Sequence, residues 1–412
     1  MPIHATHPRT DETITANLTA TAIVLSPRFG TSYSFDRAGR LLSLFVDDRS
    51  YQRTLDNRII FRGGQGTDPN GQSDHTRREL PSADGARLVG RVFEDVRALA
   101  DVVPDLALVP AHRDRLRDAL ALVLDFGPGR LAEDAAVYRS LYSPVSILPP
   151  DQYLALVLQA TQGCSWNRCT FCGLYRDRPF RIFSPDQFEA HCAGVRDFFG
   201  AGLSLRRGIF LADANALIIP QPRLLALLEI AQRYFGEQAL SSQPGQPRPV
   251  YSFVSAFDVE RKSAAEWAAL HALGLQRAYI GLETGDNALL RFLNKPGEAD
   301  HAIDAVHALR AGGVAVGVII MAGIGGDQYA ATHVEGSVAA VQAMDLGPDD
   351  LVYLSRYVPM PGTEYDYQAT VAGIRPLNED ETVAQLQTLQ TRLRAAAPRT
   401  RVTLYRVENF AL

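Results

Sequence analysis

From Tyr153 onward, short apolar runs alternate with longer segments whose apolar positions recur at helical spacing. The runs are Tyr153–Thr161, Gly208–Asp213, Tyr251–Phe257, Arg277–Glu283, Val314–Met321 and Leu351–Val358. Their length and their β-branched and aromatic content predict strands. Pro222–Gly236, Ala264–Leu273, Asp300–Ala311 and Thr332–Asp345, which lie between them, read as helices. Ser184–Gly200 is a further helix, with Phe188, Cys192, Val195 and Phe199 on one apolar face. It starts on Ser184-Pro185-Asp186-Gln187, a capping Ser with Pro in the first turn and Gln three residues after the cap. Six βα units in succession predict parallel strands joined by right-handed crossovers. The expected fold class is therefore α/β, a partial (β/α)6 barrel of the TIM type.

The flanks read differently. Thr19–Leu25, Leu41–Val46 and Arg58–Phe61 are β-like, the glycine-rich stretch from Gly63 to Asp74 reads as a loop, and Gly85–Leu99 and Asp114–Leu124 read as helices. The chain ends in a helical segment, Glu379–Ala396, and a strand-like one, Arg401–Tyr405. The expected organisation is an N-terminal α+β extension over 1–150, the βα core over 151–366, and a short helix–strand extension over 367–412. That last segment would cover the open side of the barrel and bring Arg406, Glu408 and Asn409 near the cavity.

Composition adds limits. At 412 residues the chain can bury a large core. No run of eighteen apolar residues occurs, and the first residues lack the charged-then-apolar profile of a signal peptide, so a cytoplasmic, reducing setting with no membrane partner is expected. The net charge of −5 gives no indication of a nucleic-acid partner, though one is possible through a local basic patch. The short run Arg176-Asp177-Arg178-Pro179-Phe180-Arg181 reads as a solvated loop or a phosphate contact.

Candidate chemistry concentrates in one place. Three of the four cysteines, Cys164, Cys169 and Cys172, follow the first strand of the βα series within Cys164-Ser-Trp-Asn-Arg-Cys169-Thr-Phe-Cys172. Thiolates at this spacing can converge on an iron–sulfur cluster, and a cube held by three of them leaves its fourth iron open. Structural zinc would need a second ligand pair. A [2Fe–2S] centre would need Cys192, which the helical pattern assigns to a buried face, and a disulfide would leave an odd thiol. Loops at the C-terminal strand ends carry the active site in α/β barrels, which places the cysteines at the catalytic mouth.

The cysteine triad, Gly281-Leu282-Glu283-Thr284-Gly285 at the fourth strand and Pro359-Met360-Pro361-Gly362-Thr363 after the sixth together resemble radical S-adenosylmethionine (SAM) enzymes. The likeness is greatest to the branch with oxygen-independent coproporphyrinogen oxidase, related haem chaperones and the Elongator catalytic subunit. Most members have three residues between the first two cysteines; the four found here occur in some Elongator-like members. The resemblance implies an oxygen-sensitive [4Fe–4S] cluster on Cys164, Cys169 and Cys172 and SAM on the open iron. It also implies a reductant such as flavodoxin or ferredoxin, and a 5′-deoxyadenosyl radical that abstracts hydrogen from an unidentified substrate.

Phe171 would lie near adenine while packing the loop. Relatives carry Gly-Gly-Glu after the second strand for the SAM amino group; here the string is Leu211-Ala212-Asp213-Ala214-Asn215, and Asp213 is the expected substitute. Glu283 would meet the ribose or the amine, Lys295 the methionine carboxylate, and Ser255 is a further polar candidate. Ala322-Gly323-Ile324-Gly325-Gly326 would allow close approach of adenosine or simply turn the chain. With no further cysteine group and no evident cobalamin signature, sulfur insertion and cobalamin-dependent methyl transfer are not expected. A non-enzymatic haem or cofactor carrier and a tRNA-modifying enzyme are the alternatives that the same resemblance raises.

Overall fold

The computed structural model describes residues 2–64, 77–236, 246–259 and 261–405. The predicted loop beyond Gly64 and the candidates Arg406, Glu408 and Asn409 fall outside the described residues. The chain forms two compact units: residues 2–144 with 194–207, and residues 145–193 with 208–405.

The first unit is an antiparallel meander of β1 (Ile3–Thr6), β2 (Thr13–Leu18), β3 (Ala22–Ser26), β4 (Ser32–Asp36), β5 (Leu41–Val46), β6 (Arg49–Arg53), β7 (Ile59–Gly64) and β8 (Arg78–Glu79), paired in sequence order. It carries two helices, α1 (Ser82–Val102) and α2 (Pro110–Leu141). Alternation explains the arrangement: Ile23 and Leu25, like Tyr33 and Phe35, point to one face and pack with Val92, Phe93, Leu116 and Leu120 of the helices. α2 comprises two helical stretches: the first holds the predicted Asp114–Leu124, and after a break at Gly127 (φ 48°) and Pro128 a second runs on to Leu141.

Arg40 is the polar centre of this unit. Its guanidinium donates to Asp36 at 2.7 Å, to Asp134 at 2.8 and 2.7 Å, and to the Phe198 carbonyl at 2.8 Å, with both carboxylates buried. The bond to Phe198 explains why 194–207 belongs to this unit. A side chain at Gly202 would also collide with Asp36 and Arg40.

The second unit begins with β9 (Leu156–Gln159), β10 (Thr161–Gln162), β11 (Arg181–Ile182) and the first part of α3 (Pro185–Phe199), whose residues from 194 on belong to the first unit. Reciprocal bonds between Ser184 and Gln187 form the expected cap. It continues as β12 (Ile209–Ala212), α4 (Gln221–Phe235), β13 (Val250–Phe253), α5 (Ala256–Val259), α6 (Ala264–Ala272), β14 (Leu275–Glu283), α7 (Asn287–Phe292), α8 (Ala299–Ala311), β15 (Ala315–Ala322), α9 (Gly326–Ala343), β16 (Leu351–Arg356), α10 (Tyr365–Val371), α11 (Glu379–Ala396) and β17 (Arg401–Tyr405). The sheet is parallel throughout, in the order β9-β12-β13-β14-β15-β16-β17. This is the α/β barrel-like fold that the six-fold alternation predicts, with β17 added beside β16 as a seventh parallel strand.

Aromatic rings fill the strand interior. Phe210, Phe253, Tyr279, Tyr353 and Tyr405 form a chain of neighbours with centroids 5.2 to 6.5 Å apart. Gly317 leaves the space that the Tyr279 ring occupies. Below them Asp151 accepts from the Tyr279 hydroxyl at 2.6 Å, the Tyr353 hydroxyl at 2.8 Å and Arg277 at 3.1 Å.

Two stability predictions follow from buried polar groups. Arg40→Met leaves Asp36 and Asp134 facing each other without their cation, and urea unfolding should show a loss of about 3–5 kcal/mol. His333 on α9 is fully buried, with Nδ1 2.8 Å from Thr284 Oγ1 and no described partner at Nε2; burial lowers its pKa to about 4. Because the unfolded imidazole titrates near 6.5, its contribution is complete above that pH and is lost as the pH falls towards 4, about 3 kcal/mol in all. A urea-midpoint series across that range should fall less steeply in His333→Gln.

Candidate active site

The loop between β10 and β11 carries the three cysteines, and its ends are pinned together. Thr161 and Gln162 pair antiparallel with Ile182 and Arg181. The Gly163 amide donates to Asp213 Oδ2 at 3.1 Å, and the Asp213 amide donates to Thr161 Oγ1 at 2.9 Å. Gly163, at φ 78°, has the Pro179 carbonyl 3.0 Å from where a Cβ would sit, so a side chain there would push the loop open. Arg178, only 7% exposed, pairs with Asp177 at 2.7 Å and lies 3.6 Å from Asp213.

The body of the loop is held as firmly. Arg176 donates to the carbonyls of Cys172 and Cys169 at 3.1 and 3.2 Å. Arg176 and Arg181 are exposed, as a solvated loop implies, while Arg178 is buried and braces the loop from within. The Thr170 amide donates to the Leu293 carbonyl, and the Thr170 carbonyl accepts from the Glu364 and Tyr365 amides, at 2.9 to 3.1 Å. Trp166 Nε1 donates to the Asn294 carbonyl at 2.8 Å, and the Gly173 amide to Met360 Sδ at 3.5 Å. Phe171 packs with Leu289, Leu293, Ile324 and Tyr365, so it anchors the loop as well as lining the cavity.

A cavity of about 1220 Å³, counting the space at its open mouth, lies at the C-terminal ends of the strands. Cys164, Cys169 and Cys172, all free thiols, line it together with Ser255, Glu283 and Lys295. Burial pushes the Cys169 thiol up to about 12 and raises that of Cys172 as well. Ligation would therefore release protons, since a cluster binds thiolates. Among the described residues, no three His, Cys, Asp or Glu side chains are spaced to hold a single metal ion. Thiolates that each bind a different iron of a cluster need not meet that spacing.

Opposite the thiols, Lys295 Nζ lies 3.3 Å from Glu283 Oε1. Burial works against the ammonium, but the Glu283 carboxylate and the neighbouring thiols outweigh it and raise the Lys295 pKa. Glu283 ends β14 at φ 63°, where the register with β15 shifts. Gly281 makes this possible, because a Cβ there would overlap the Glu283 carboxylate.

The structure does not bring Asp213 to the cavity. Its carboxylate is turned to Gly163 and Arg178, and burial raises its pKa to about 6 against the opposing pull of both partners. Asn215, two residues on, faces the cavity instead. Its Oδ1 accepts from the Ser255 amide at 3.1 Å, and its Nδ2 donates to Ser165 at 2.9 Å and to Asp258 at 2.7 Å. Carboxylate and amide stand in one quoted string, and nothing in that string ranks one above the other. The glycines after β15 do not line the cavity: the Gly323 amide donates to Gln385 and the Gly325 amide to the Tyr365 hydroxyl, both at 2.7 Å. Here the turn reading holds. Cys192 is fully buried on α3 and lies outside the cavity.

Among the described residues no helix is long and apolar enough to cross a membrane. Residues 158–332 match the family model described as the radical SAM superfamily. A curated relative, 4′-phospho-dehydrooxetanocin synthase of Priestia megaterium, is 26% identical over 221 residues, covering 49% of this chain and 28% of the relative. The chain thus spans just over a quarter of that protein's length. Among solved structures, the chain is similar to coproporphyrinogen III oxidase (HemN) of Escherichia coli, with TM-score 0.43, 14% identity, and 66% and 57% of the two chains covered. It is also similar to the archaeal Elp3 of Methanocaldococcus infernus, with TM-score 0.36, 15% identity, and 53% and 52% covered. Over residues 158–332 the chain thus matches the radical SAM superfamily, whose members are enzymes with a [4Fe–4S] cluster and SAM as cofactors.

Proposed function

We propose that Cys164, Cys169 and Cys172 hold the [4Fe–4S] cluster, that Glu283, Lys295, Asn215 and Ser255 bind SAM, and that a second substrate occupies the rest of the same cavity. The observation that carries this reading is the convergence of three free thiols and one buried Glu–Lys pair on a single cavity. When bound, the two cofactors supply reductive cleavage of the sulfonium to a 5′-deoxyadenosyl radical able to abstract hydrogen. The chain's part is to bind, orient and exclude water. Lys295, kept charged by Glu283, offers an ammonium to a carboxylate, the group by which the methionine end of SAM is told from a plain adenosine. Glu283 is an acceptor for hydroxyl or ammonium donors. Asn215, fixed by Asp258 and Ser165, sets the Ser255 backbone at the cavity wall. Asp213 acts one step removed, by closing the loop on which the thiols sit.

The primary test is anaerobic reconstitution with iron and sulfide, followed by SAM and dithionite and quantification of 5′-deoxyadenosine. Wild type should form it and Cys169→Ala should not; a well-formed cluster with no SAM binding or cleavage would sink the reading. Two further variants separate the roles. Lys295→Met should retain iron but raise the KM for SAM about 10- to 100-fold, as expected for one charge-assisted contact of about 1.5–3 kcal/mol. Asp213→Ala should instead lower bound iron per chain, and equal iron content in the two variants would refute this division of labour.

A further inference from the structure

The cavity has a second wall that the cofactor-binding residues do not use. It is built from Phe253 at the end of β13, Tyr279 on β14, Ile319 and Met321 on β15, Tyr357 after β16 and Tyr405 on β17. Each tyrosine hydroxyl is engaged with the protein: Tyr279 donates to Asp151 at 2.6 Å, Tyr357 to Asp366 at 2.9 Å, and Tyr405 to the Leu148 carbonyl at 2.8 Å. None of these acceptors lines the cavity, so the three side chains turn their rings, not their hydroxyls, towards its space.

The charges are accounted for in the same way. Besides the thiols, the charged residues among the described lining are Glu283, Lys295 and Arg356. Glu283 and Lys295 hold each other at 3.3 Å, and Arg356 is gripped by both carboxylate oxygens of Glu379, with Nη1 2.9 Å from Oε1. An acidic or phosphorylated substrate would compete with SAM for Lys295 or with Glu379 for Arg356, and otherwise would set its charge against the rings, where an unpaired charge is costly. A neutral flat molecule meets no such cost and gains offset or edge contacts with the rings and a thioether contact from Met321.

Resting on the radical SAM reading of this site, we propose that the second substrate is an uncharged, largely apolar molecule with a flat unsaturated portion, bound against this aromatic wall.

The test uses the reconstituted full chain and two naphthalene probes, neutral prodan and the anionic anilinonaphthalene sulfonate, titrated by fluorescence. Prodan should bind with blue-shifted emission, and the sulfonate at least about tenfold more weakly, a difference of about 1.4 kcal/mol. Met321→Glu, which places a carboxylate in the wall, should weaken prodan by a similar factor. Ile319→Trp, which fills the space without adding charge, should do the same and guards against a misfolded first variant. Equal or tighter binding of the sulfonate, no binding of either probe, or wild-type prodan affinity in both variants overturns the proposal. Iron content and SAM affinity are measured on the same samples. A wall that prefers prodan on a chain that takes up neither cluster nor SAM would overturn the cofactor assignment and leave the wall's chemistry standing.

Discussion

The Gly163 amide donates to the Asp213 carboxylate across 3.1 Å, and with the two-residue pairing of β10 and β11 that bond closes the loop bearing all three thiols. A loop of this length left open would lose its geometry to conformational entropy, and a cluster needs its ligands held together before it is assembled. The closure also sets where the loop can rest. Once its ends are fixed over β9 and β12, Thr170 reaches the carbonyl after α7 and the amides that start α10, and Phe171 enters the apolar group beneath. A carboxylate at the end of the second strand is therefore structural in this chain, and the polar contact to the cavity passes to Asn215.

Glu283 shows the opposite economy of placement. Few non-glycine residues tolerate positive φ, yet at φ 63° the end of β14 turns the carboxylate towards Lys295, and the missing side chain at Gly281 clears its path. The two residues form a unit in which Glu283 helps keep Lys295 charged inside a poorly solvated cavity. The loop and this pair come from different βα connections, and the parallel sheet brings them to one end because every strand points the same way.

The parallel core was legible because strands such as β9, β12, β15 and β16 are buried along nearly their whole length and the helices on one face, which writes two distinct periods into the chain. The cysteine loop was legible because thiolate spacing is a chemical constraint and not a packing preference. Boundaries were less so. The segment read as Tyr251–Phe257 stops at Phe253 and turns into a short helix, and α9 starts at Gly326, six residues before its predicted onset, because glycines hide a helix start. Much of the N-terminal meander escaped the sequence: Ser32–Asp36 and Arg49–Arg53 carry serine at outward positions and bury a charged residue each, Asp36 and Arg53, so neither reads as an apolar strand. Of the site residues, Ser255, Glu283 and Lys295 come to the cavity as the resemblance implied, whereas Asp213 does not, since side-chain direction at a strand end depends on neighbours far away in sequence.

The aromatic lining belongs to the same logic of long-range constraint. Asp151 lies before the first parallel strand, yet it receives the hydroxyls of Tyr279 and Tyr353 from the fourth and sixth. Those bonds engage the two hydroxyls at the far end of the barrel on a carboxylate that is itself partly open to solvent, so neither hydroxyl is left without a partner. The same bonds leave the Tyr279 ring with its apolar body towards the mouth. What seals one end of the barrel thereby decides the chemistry of the other, and a cavity lined by rings whose polar atoms are already engaged can recognise a substrate by shape and apolar surface far better than by charge.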